Sequence, residues 1–207
     1  MRLRNSLTYA FHVMIHPFDG FWRLKNEKRG TLGAALIIYA VLFLTTVLRL
    51  TTSGFLFQSG NIKRFSAVTL LFALAGAVCL YCVANWSLTT LMDGEGKFSE
   101  IFIATAYSLV PLALANLPLT FFSRVITIQE SAFYTFFNTV IILWTVFLLL
   151  SGCMCIHDYS MTKTVFVELL TVFAMLVIII LLVLFFNLLQ QVWIFLLSIW
   201  KELTFRL

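Results

Sequence analysis

The sequence predicts an all-α, polytopic integral membrane protein: a bundle of five transmembrane helices with an interfacial amphipathic helix at each terminus. Composition is the first reason. The 207 residues are 61% hydrophobic and 11% charged, with a mean hydropathy of +1.00, whereas soluble domains are about 25% charged. Distribution is the second reason, because the apolar residues gather into five stretches, each long enough to cross a hydrocarbon core of about 30 Å.

Residues 1–30 are predicted to form a cytoplasmic, basic, amphipathic segment. They contain six of the fourteen Lys and Arg residues, and apolar residues recur at helical spacing between positions 7 and 15. Pro17 then stops or bends the helix. Such a segment favours binding to an anionic leaflet with its aromatic residues at headgroup depth. The alternative is that its charges only set the topology of the chain.

Residues 31–189 are predicted to form the transmembrane domain. The five spans are Thr31–Leu50, Phe65–Leu91, Ile101–Phe122, Phe133–Ile156 and Val165–Leu189. Each approaches or exceeds the roughly 20 apolar residues that a transmembrane helix requires. In the loop at residues 51–64, the apolar residues Phe55 to Phe57 are placed to dip into the interface.

The stretch from Asn85 to Pro118 predicts the end of the second span, a tight acidic turn and the start of the third span. Asp93 to Gly96 alternates acidic residues with glycines, and such a sequence cannot remain in hydrocarbon. Two glycines within three residues also favour a turn over a continuing helix.

The third span is predicted to face the interior of the bundle. Pro111 and Pro118 each remove a backbone hydrogen bond and are expected to break the helix. A membrane tolerates such breaks where neighbouring helices repair the loss. Asn116 lies between the two prolines, and its polar side chain favours the same interior position.

Residues 190–207 are predicted to form a separate amphipathic helix at the interface. Trp193 and Trp200 share its apolar face, whereas Gln190, Gln191, Lys201 and Glu202 fall mainly on the other. One helix through the fifth span and this tail would be about 50 Å long, which exceeds a bilayer core. The tail is therefore expected to bend onto the membrane surface. A single long helix that projects from the membrane is the alternative.

The distribution of Lys and Arg predicts a cytoplasmic N-terminus. In that orientation eight basic residues lie inside: the six of the N-terminal segment together with Lys97 and Lys163. Six lie outside: Arg49, Lys63, Arg64, Arg124, Lys201 and Arg206. All three histidines and most of the carboxylates then lie on the cytoplasmic side.

Two sets of residues are candidates for function. Candidate contacts with a partner or with lipid are Trp22, Arg23, Lys25, Asp93, Glu95, Lys97, Trp193 and Trp200. The acidic turn at Asp93–Glu100 is placed to dock on the basic stretch Arg23–Arg29, although two independently solvated charge groups would look the same in the sequence.

Candidates for polar packing inside the membrane are Asn85, Asn116, Asn138 and Glu168. Interhelical hydrogen bonds of this kind contribute about 0.6–2 kcal/mol each. Glu168 can also reach the headgroups or line a polar path. The fifth span around Met175–Phe186 has no polar residue, which argues against a continuous hydrophilic conduit.

Metal and catalytic sites are weighed and not predicted. Cys153 and Cys155 precede His157 and Asp158, but alternate residues on a helix point about 200° apart and could ligate one ion only if the helix unwinds there. A second cluster comprises His12, His16 and Asp19. The sequence offers no nucleophile with a base and no paired carboxylates in a cleft, so we expect no catalytic residue, metal or cofactor. The four cysteines lie within apolar segments of the sequence and imply no disulfide.

The segment Gly96–Pro111, GKFSEIFIATAYSLVP, resembles the Yip family of multi-span membrane proteins. The resemblance is carried by a short turn after the second span and by Tyr107, Ser108, Leu109 and Pro111 in the third. The segment His16–Gly30 looks like the residues that precede the first span in the bacterial branch. The resemblance implies five helices and the role of a membrane adaptor or organiser.

Eukaryotic members are named for binding Rab-type GTPases and have a long soluble N-terminal region; we expect no such region in this protein, and therefore no Rab binding. The resemblance implies a bacterial plasma-membrane protein, non-enzymatic, acting as an accessory or scaffold subunit. Its expected partners are membrane lipids and other integral membrane subunits, not nucleic acid. The alternative is a component of a transport system, either a permease-like subunit or the partner of an ABC-type carbohydrate importer. An intramembrane enzyme is a third class.

Overall fold

The computed structural model describes residues 2–53 and 66–205, which are helical apart from short turns and contain no strand. In chain order the elements are α1 (Arg2–Ile15), α2 (Pro17–Asn26), α3 (Leu32–Thr52), α4 (Ala67–Leu91), α5 (Phe98–Ser108), α6 (Val110–Val125), a 3-10 turn (Ile128–Glu130), α7 (Ser131–His157) and α8 (Met161–Phe205). The predicted interfacial contact of Phe55 to Phe57 lies outside the described residues.

The predicted fold class is confirmed. Among the described residues, five helical segments are long and apolar enough to cross a membrane: α3, α4, α5 with α6, α7 and α8. Two of them begin at residues whose side-chain hydroxyls cap the helix. Thr31 Oγ1 accepts the Ala34 N–H at 3.2 Å, and Ser66 Oγ accepts the Thr69 N–H at 3.4 Å. These bonds satisfy backbone donors that a helix start leaves open.

The two ends of the bundle have different neighbours. One end, which we call the proximal end, is where α2 contacts the turn at residues 92–97 and the loop at residues 158–160. At the distal end, α3 and α6 finish and α7 begins, with contacts from Arg49 to Asn116 and Tyr134. The predicted turn after the second span is therefore present, and it lies at the proximal end.

The third span is the most buried of the five, with 56% of its most apolar window inside the protein. The helix is interrupted at Leu109, just before Pro111, which occupies the first turn of α6. Asn116 is 2% exposed, as an interior position requires. The predicted second break is absent, because α6 continues through Pro118. A proline removes one backbone bond, and the packing of α6 against α3 and α7 holds the helix together.

The N-terminal segment is part of the bundle. The break predicted at Pro17 separates α1 from α2, and these helices pack against each other, α5 and α7. Gly20 allows the close approach, because a Cβ at this residue would lie 2.8 Å from Val13 Cα. Phe21 is fully buried, and the Tyr107 hydroxyl donates to the Ser6 carbonyl at 3.0 Å. The prediction of an interfacial segment did not include these contacts. An amphipathic helix can bury its apolar face against protein or against lipid, and the sequence pattern is the same in both cases.

Helix α8 shows no end or break at the predicted boundary of residue 189. It is one helix of 45 residues, about 68 Å long at 1.5 Å per residue, and it contains neither Gly nor Pro to interrupt it. Asn85 Nδ2 lies 3.4 Å from Thr171 Oγ1 and sets the antiparallel register of α4 and α8. Residue 189 therefore lies at about the level of Ala67, and the rest of α8 extends past the distal end. The interfacial location of residues 190–207 stays a prediction.

Candidate functional site

The proximal end joins the basic segment to the acidic turn through one lysine. Lys25 Nζ donates to Glu95 Oε2 and to Asp158 Oδ2, each at 3.2 Å, so the predicted docking of the two charged segments forms here. Burial disfavours the charged form of Lys25, but its hydrogen bonds to the two carboxylates, with their negative charges, outweigh the effect of burial, and the pKa of the Lys25 ammonium is raised. The carboxylates are about two-thirds exposed, so each pair contributes only about 0–1 kcal/mol.

The same turn packs against a buried histidine. His157 is 2% exposed, and its Nδ1 accepts the Gly96 N–H at 3.3 Å. Its ring stacks on Tyr159 with 5.4 Å between centroids, and the Tyr159 hydroxyl donates to the Met92 carbonyl at 2.9 Å. Thus the turn is fixed by packing and hydrogen bonds to the α7–α8 connection.

The two turn glycines are required for space. Neither has a positive φ; the left-handed residues among those described are Lys28, at 49°, Asp93, at 57°, and Asp158, at 54°. A Cβ at Gly94 would lie 2.6 Å from His157 Nδ1, and a Cβ at Gly96 would lie 2.6 Å from His157 Cε1. The predicted turn is present. The glycines are needed there because a larger side chain would collide with His157, and not because the backbone has a positive φ.

A small cavity lies behind His157, between α4, α5 and α7. It is lined by Asn85, Thr105, Ser108 and Cys153 as well as His157, and its volume of about 10 Å³ suits one water molecule. Because Nδ1 accepts a hydrogen bond, the neutral imidazole carries its proton on Nε2. Within the described chain, Nε2 is the one buried side-chain polar atom without a hydrogen-bond partner. His157 lines this cavity together with the hydroxyl residues Thr105 and Ser108, and groups of these kinds can bind a water.

Beside this cavity, Glu168 lies in a hydrogen-bonded cluster between α4 and α8. The Tyr81 hydroxyl donates to Glu168 Oε1 at 2.8 Å, and Asn85 Nδ2 lies 3.5 Å from the same oxygen. The structure thus brings together two of the four residues predicted to make polar contacts inside the membrane. No Lys, Arg or His side chain in residues 2–53 or 66–205 forms an ion pair with Glu168.

The other two predicted residues meet at the distal end on an arginine. Arg49 Nη1 donates to Asn116 Oδ1 at 3.1 Å, and Arg49 Nη2 donates to Asn138 Oδ1 at 2.9 Å. Its Nη2 also donates to the Tyr134 hydroxyl at 3.1 Å, and Asn116 Nδ2 contacts Thr46 Oγ1 at 3.2 Å. Sequence reasoning counted Arg49 only as a topological charge. A cation in the last turn of an apolar span was the signal that pointed to a polar partner.

The remaining candidate contacts are on the surface. Trp22, Trp193 and Trp200 are 53%, 63% and 69% exposed. Arg23 Nε donates to Asp19 Oδ1 at 3.0 Å, which belongs to the N-terminal segment itself. Asp93 and Lys97 are exposed, and the backbone N–H of Lys97 is bound by Glu100 at the start of α5.

The cysteines and histidines do not converge on a metal site in the described chain. No group of three or more His, Cys, Asp or Glu side chains there is placed to hold an ion. Cys153 Sγ contacts Asn85, whereas Cys155 Sγ contacts the Phe18 carbonyl. His12 contacts Asp19 at 3.1 Å. The hydrogen bond from His12 is the largest influence on this carboxyl and, with Arg23, lowers the pKa of Asp19.

Comparison with known proteins identifies the family. The family model described as Yip1 domain matches residues 11–200. No curated protein and no solved structure matches the chain. The match includes the last turn of α1, all of α2, the first four spans and α8 up to Trp200, and the described residues in this range have a five-span helical architecture. The chain therefore belongs to the Yip1 family of membrane proteins.

Proposed function

We propose that this chain is a non-enzymatic accessory or scaffold subunit of a larger membrane assembly. The observation that carries the proposal is the distal part of α8. From Val192 to Trp200 every residue except Ser198 is a large apolar residue, and these are 40–69% exposed. They extend beyond the level at which α4 begins.

The length of α8 favours a protein partner over lipid alone. The helical segment that holds the fifth candidate span, Met161–Glu202, has 42 residues, whereas a bilayer core accommodates about 20 residues of helix, or somewhat more with tilt. Exposed apolar patches of this size mark interaction sites. Aromatic residues such as Trp193 and Trp200 are frequent anchors at such sites. Another integral membrane subunit would cover the part of α8 that the bilayer leaves exposed.

The transport alternative has weaker support. Glu168 and Asn85 supply polar groups near the proximal end, but the cavity beside them holds about one water molecule. The chain beyond Thr171 is apolar through Phe186. A role beside a transporter, as the partner of an ABC-type importer, fits the accessory proposal better than a conduit within this chain.

Photo-crosslinking tests the proposal. A photoreactive phenylalanine analogue replaces Trp193 or Trp200 in the full chain, in its native membrane, and adducts are identified by mass spectrometry. We expect a discrete adduct with another membrane protein. The matched control is Leu143 on α7, which is 63% exposed but lies within the length of the bundle, where we expect lipid adducts. Lipid adducts alone at all three positions contradict the proposal, as do adducts only with a second copy of this chain.

We also propose that the protein lies in a bacterial plasma membrane with its N-terminus in the cytoplasm. The support is the basic N-terminal segment and its contact with the turn that contains Lys97. A topology reporter inserted at Gly94 is expected to show a cytoplasmic location, and one inserted at Gln129, in the connection before α7, an external one. The reverse labelling pattern contradicts this orientation.

A further inference from the structure

An apolar groove lies at the distal end, between the last turns of α3 and α6. Its walls include Leu48, Leu117, Phe121, Phe122 and Val125, and its volume is about 820 Å³. This lies within the range of about 300–1,000 Å³ typical of ligand pockets. Phe121 and Val125 are each 78% exposed, so the groove is open to the surroundings of the bundle. Its size and lining suit a hydrocarbon chain.

One cation stands in the wall of this groove. Arg124 Nε donates to the Thr52 carbonyl at 2.8 Å, which holds the guanidinium beside the apolar walls. In the described chain its two terminal nitrogens have no hydrogen-bond partner, and no carboxylate forms an ion pair with it. A guanidinium whose two terminal nitrogens are not bound by neighbouring groups is suited to bidentate binding of a phosphate.

A second cation at the same end increases the positive potential. Arg49 follows Leu48 of the groove wall, and its three side-chain hydrogen bonds go to neutral acceptors. Glu130, in the 3-10 turn that follows, directs Oε2 to the Thr127 backbone and hydroxyl. The guanidinium charges of Arg49 and Arg124 are therefore not neutralised by an ion pair within residues 2–53 and 66–205.

We propose that this groove binds one glycerophospholipid, with an acyl chain along the apolar wall and its phosphate on Arg124. A soluble anion would use the arginine but leave the groove open, whereas a neutral hydrocarbon would fill the groove but leave the arginine unpaired. A phospholipid satisfies both features, and the charge of Arg49 favours a headgroup with net negative charge. The site differs from general lipid contact because one side chain fixes the headgroup.

Native mass spectrometry of the full chain in detergent tests the proposal, with phosphatidylglycerol as the added lipid. We expect one retained lipid per chain, and an apparent affinity lowered about tenfold or more by Arg124→Gln. The matched control is Arg4→Gln, which removes the same charge from an exposed position on α1 and should retain the lipid. Arg124→Lys keeps the charge but loses the fork, and should fall between them.

Two further measurements separate the alternatives. Leu48→Trp narrows the groove without changing charge and should lower retention as Arg124→Gln does, while thermal unfolding in the same detergent shows whether each variant is folded. Diacylglycerol, which lacks the phosphate, should bind more weakly than phosphatidylglycerol. Equal retention of lipid by the wild type and folded Arg124→Gln overturns the proposal. It is also overturned if diacylglycerol binds equally well, or if the wild type retains no lipid, as when protein covers the groove.

Discussion

Replacement of Arg49 by leucine is expected to lower the free energy of unfolding by about 2–4 kcal/mol. The guanidinium joins α3 to α6 through Asn116 and to α7 through Tyr134 and Asn138. Leucine fills the apolar part of the space but leaves three oxygen acceptors without this donor. Hydrogen bonds inside membranes contribute about 0.6–2 kcal/mol each. The three bonds lost here connect three helices at the distal end, so their loss destabilises the packing of that end as a whole. Unfolding by sodium dodecyl sulfate in mixed micelles, followed by tryptophan fluorescence, measures the difference.

Two control variants separate this effect from loss of charge. Arg4→Leu removes the same charge from an exposed site on α1 and should change stability by less than about 0.5 kcal/mol. Arg49→Lys keeps the charge, but one ammonium cannot reproduce the fork that reaches acceptors on two helices, so an intermediate loss is expected. If Arg49→Leu is as stable as the wild type, the Arg49 hydrogen bonds do not hold the distal end together.

Gly96→Ala is the second large effect, with an expected loss of about 1–3 kcal/mol. The added Cβ would lie 2.6 Å from His157 Cε1 and 2.6 Å from Ile156 Cγ2, closer than van der Waals contact permits. Both neighbours are buried, at 2% and 1% exposure, so neither can move outward without repacking. The turn would have to shift and weaken the hydrogen bond from Gly96 to His157. The same unfolding assay measures the loss.

Gly76→Ala is the matched control, because a Cβ at Gly76 meets no atom within 4 Å. This change lies within α4 and should be neutral or stabilising, since alanine favours a helix by about 1 kcal/mol over glycine. In a second variant, His157→Ala is combined with Gly96→Ala. The space left by the imidazole should reduce the cost of the alanine below its cost in the wild type. An equal cost in the two backgrounds would show that His157 is not the steric neighbour that matters.

The five spans could be predicted because each depends on local properties of the chain. Length and hydropathy locate α3, α4 and α7 to within about three residues, and hydroxyl caps such as Thr31 fix where a helix begins. Helix α8 is the exception. The argument for a bend after Leu189 assumed that an apolar helix matches the bilayer, but the local sequence contains no Gly or Pro to interrupt it.

The sites could be predicted only as separate residues. Asn116 and Asn138 are predicted as polar packing residues, but 67 and 89 residues separate them from Arg49, so their shared donor depends on how the helices pack. The same is true of Glu168 and Asn85, which are 83 residues apart in the sequence and come together only through helix packing. Reasoning from conformational freedom correctly finds the turn at Gly94 and Gly96. It cannot find His157, the neighbour that excludes a larger side chain there.

The interruption at Leu109 divides the third span, yet the helices around it are continuous. Helices α3 and α7 each run unbroken past Leu109 and pack against both α5 and α6. They support the interruption from two sides, and beside it Ser108 Oγ donates to the Leu148 carbonyl of α7 at 3.1 Å. A hinge needs freedom on at least one side, and this interruption is packed by a continuous helix on two. The two halves of the third span are therefore held in a fixed relative orientation, whereas the distal part of α8, with apolar residues 40–69% exposed from Val192 to Trp200, has no such support in the described chain.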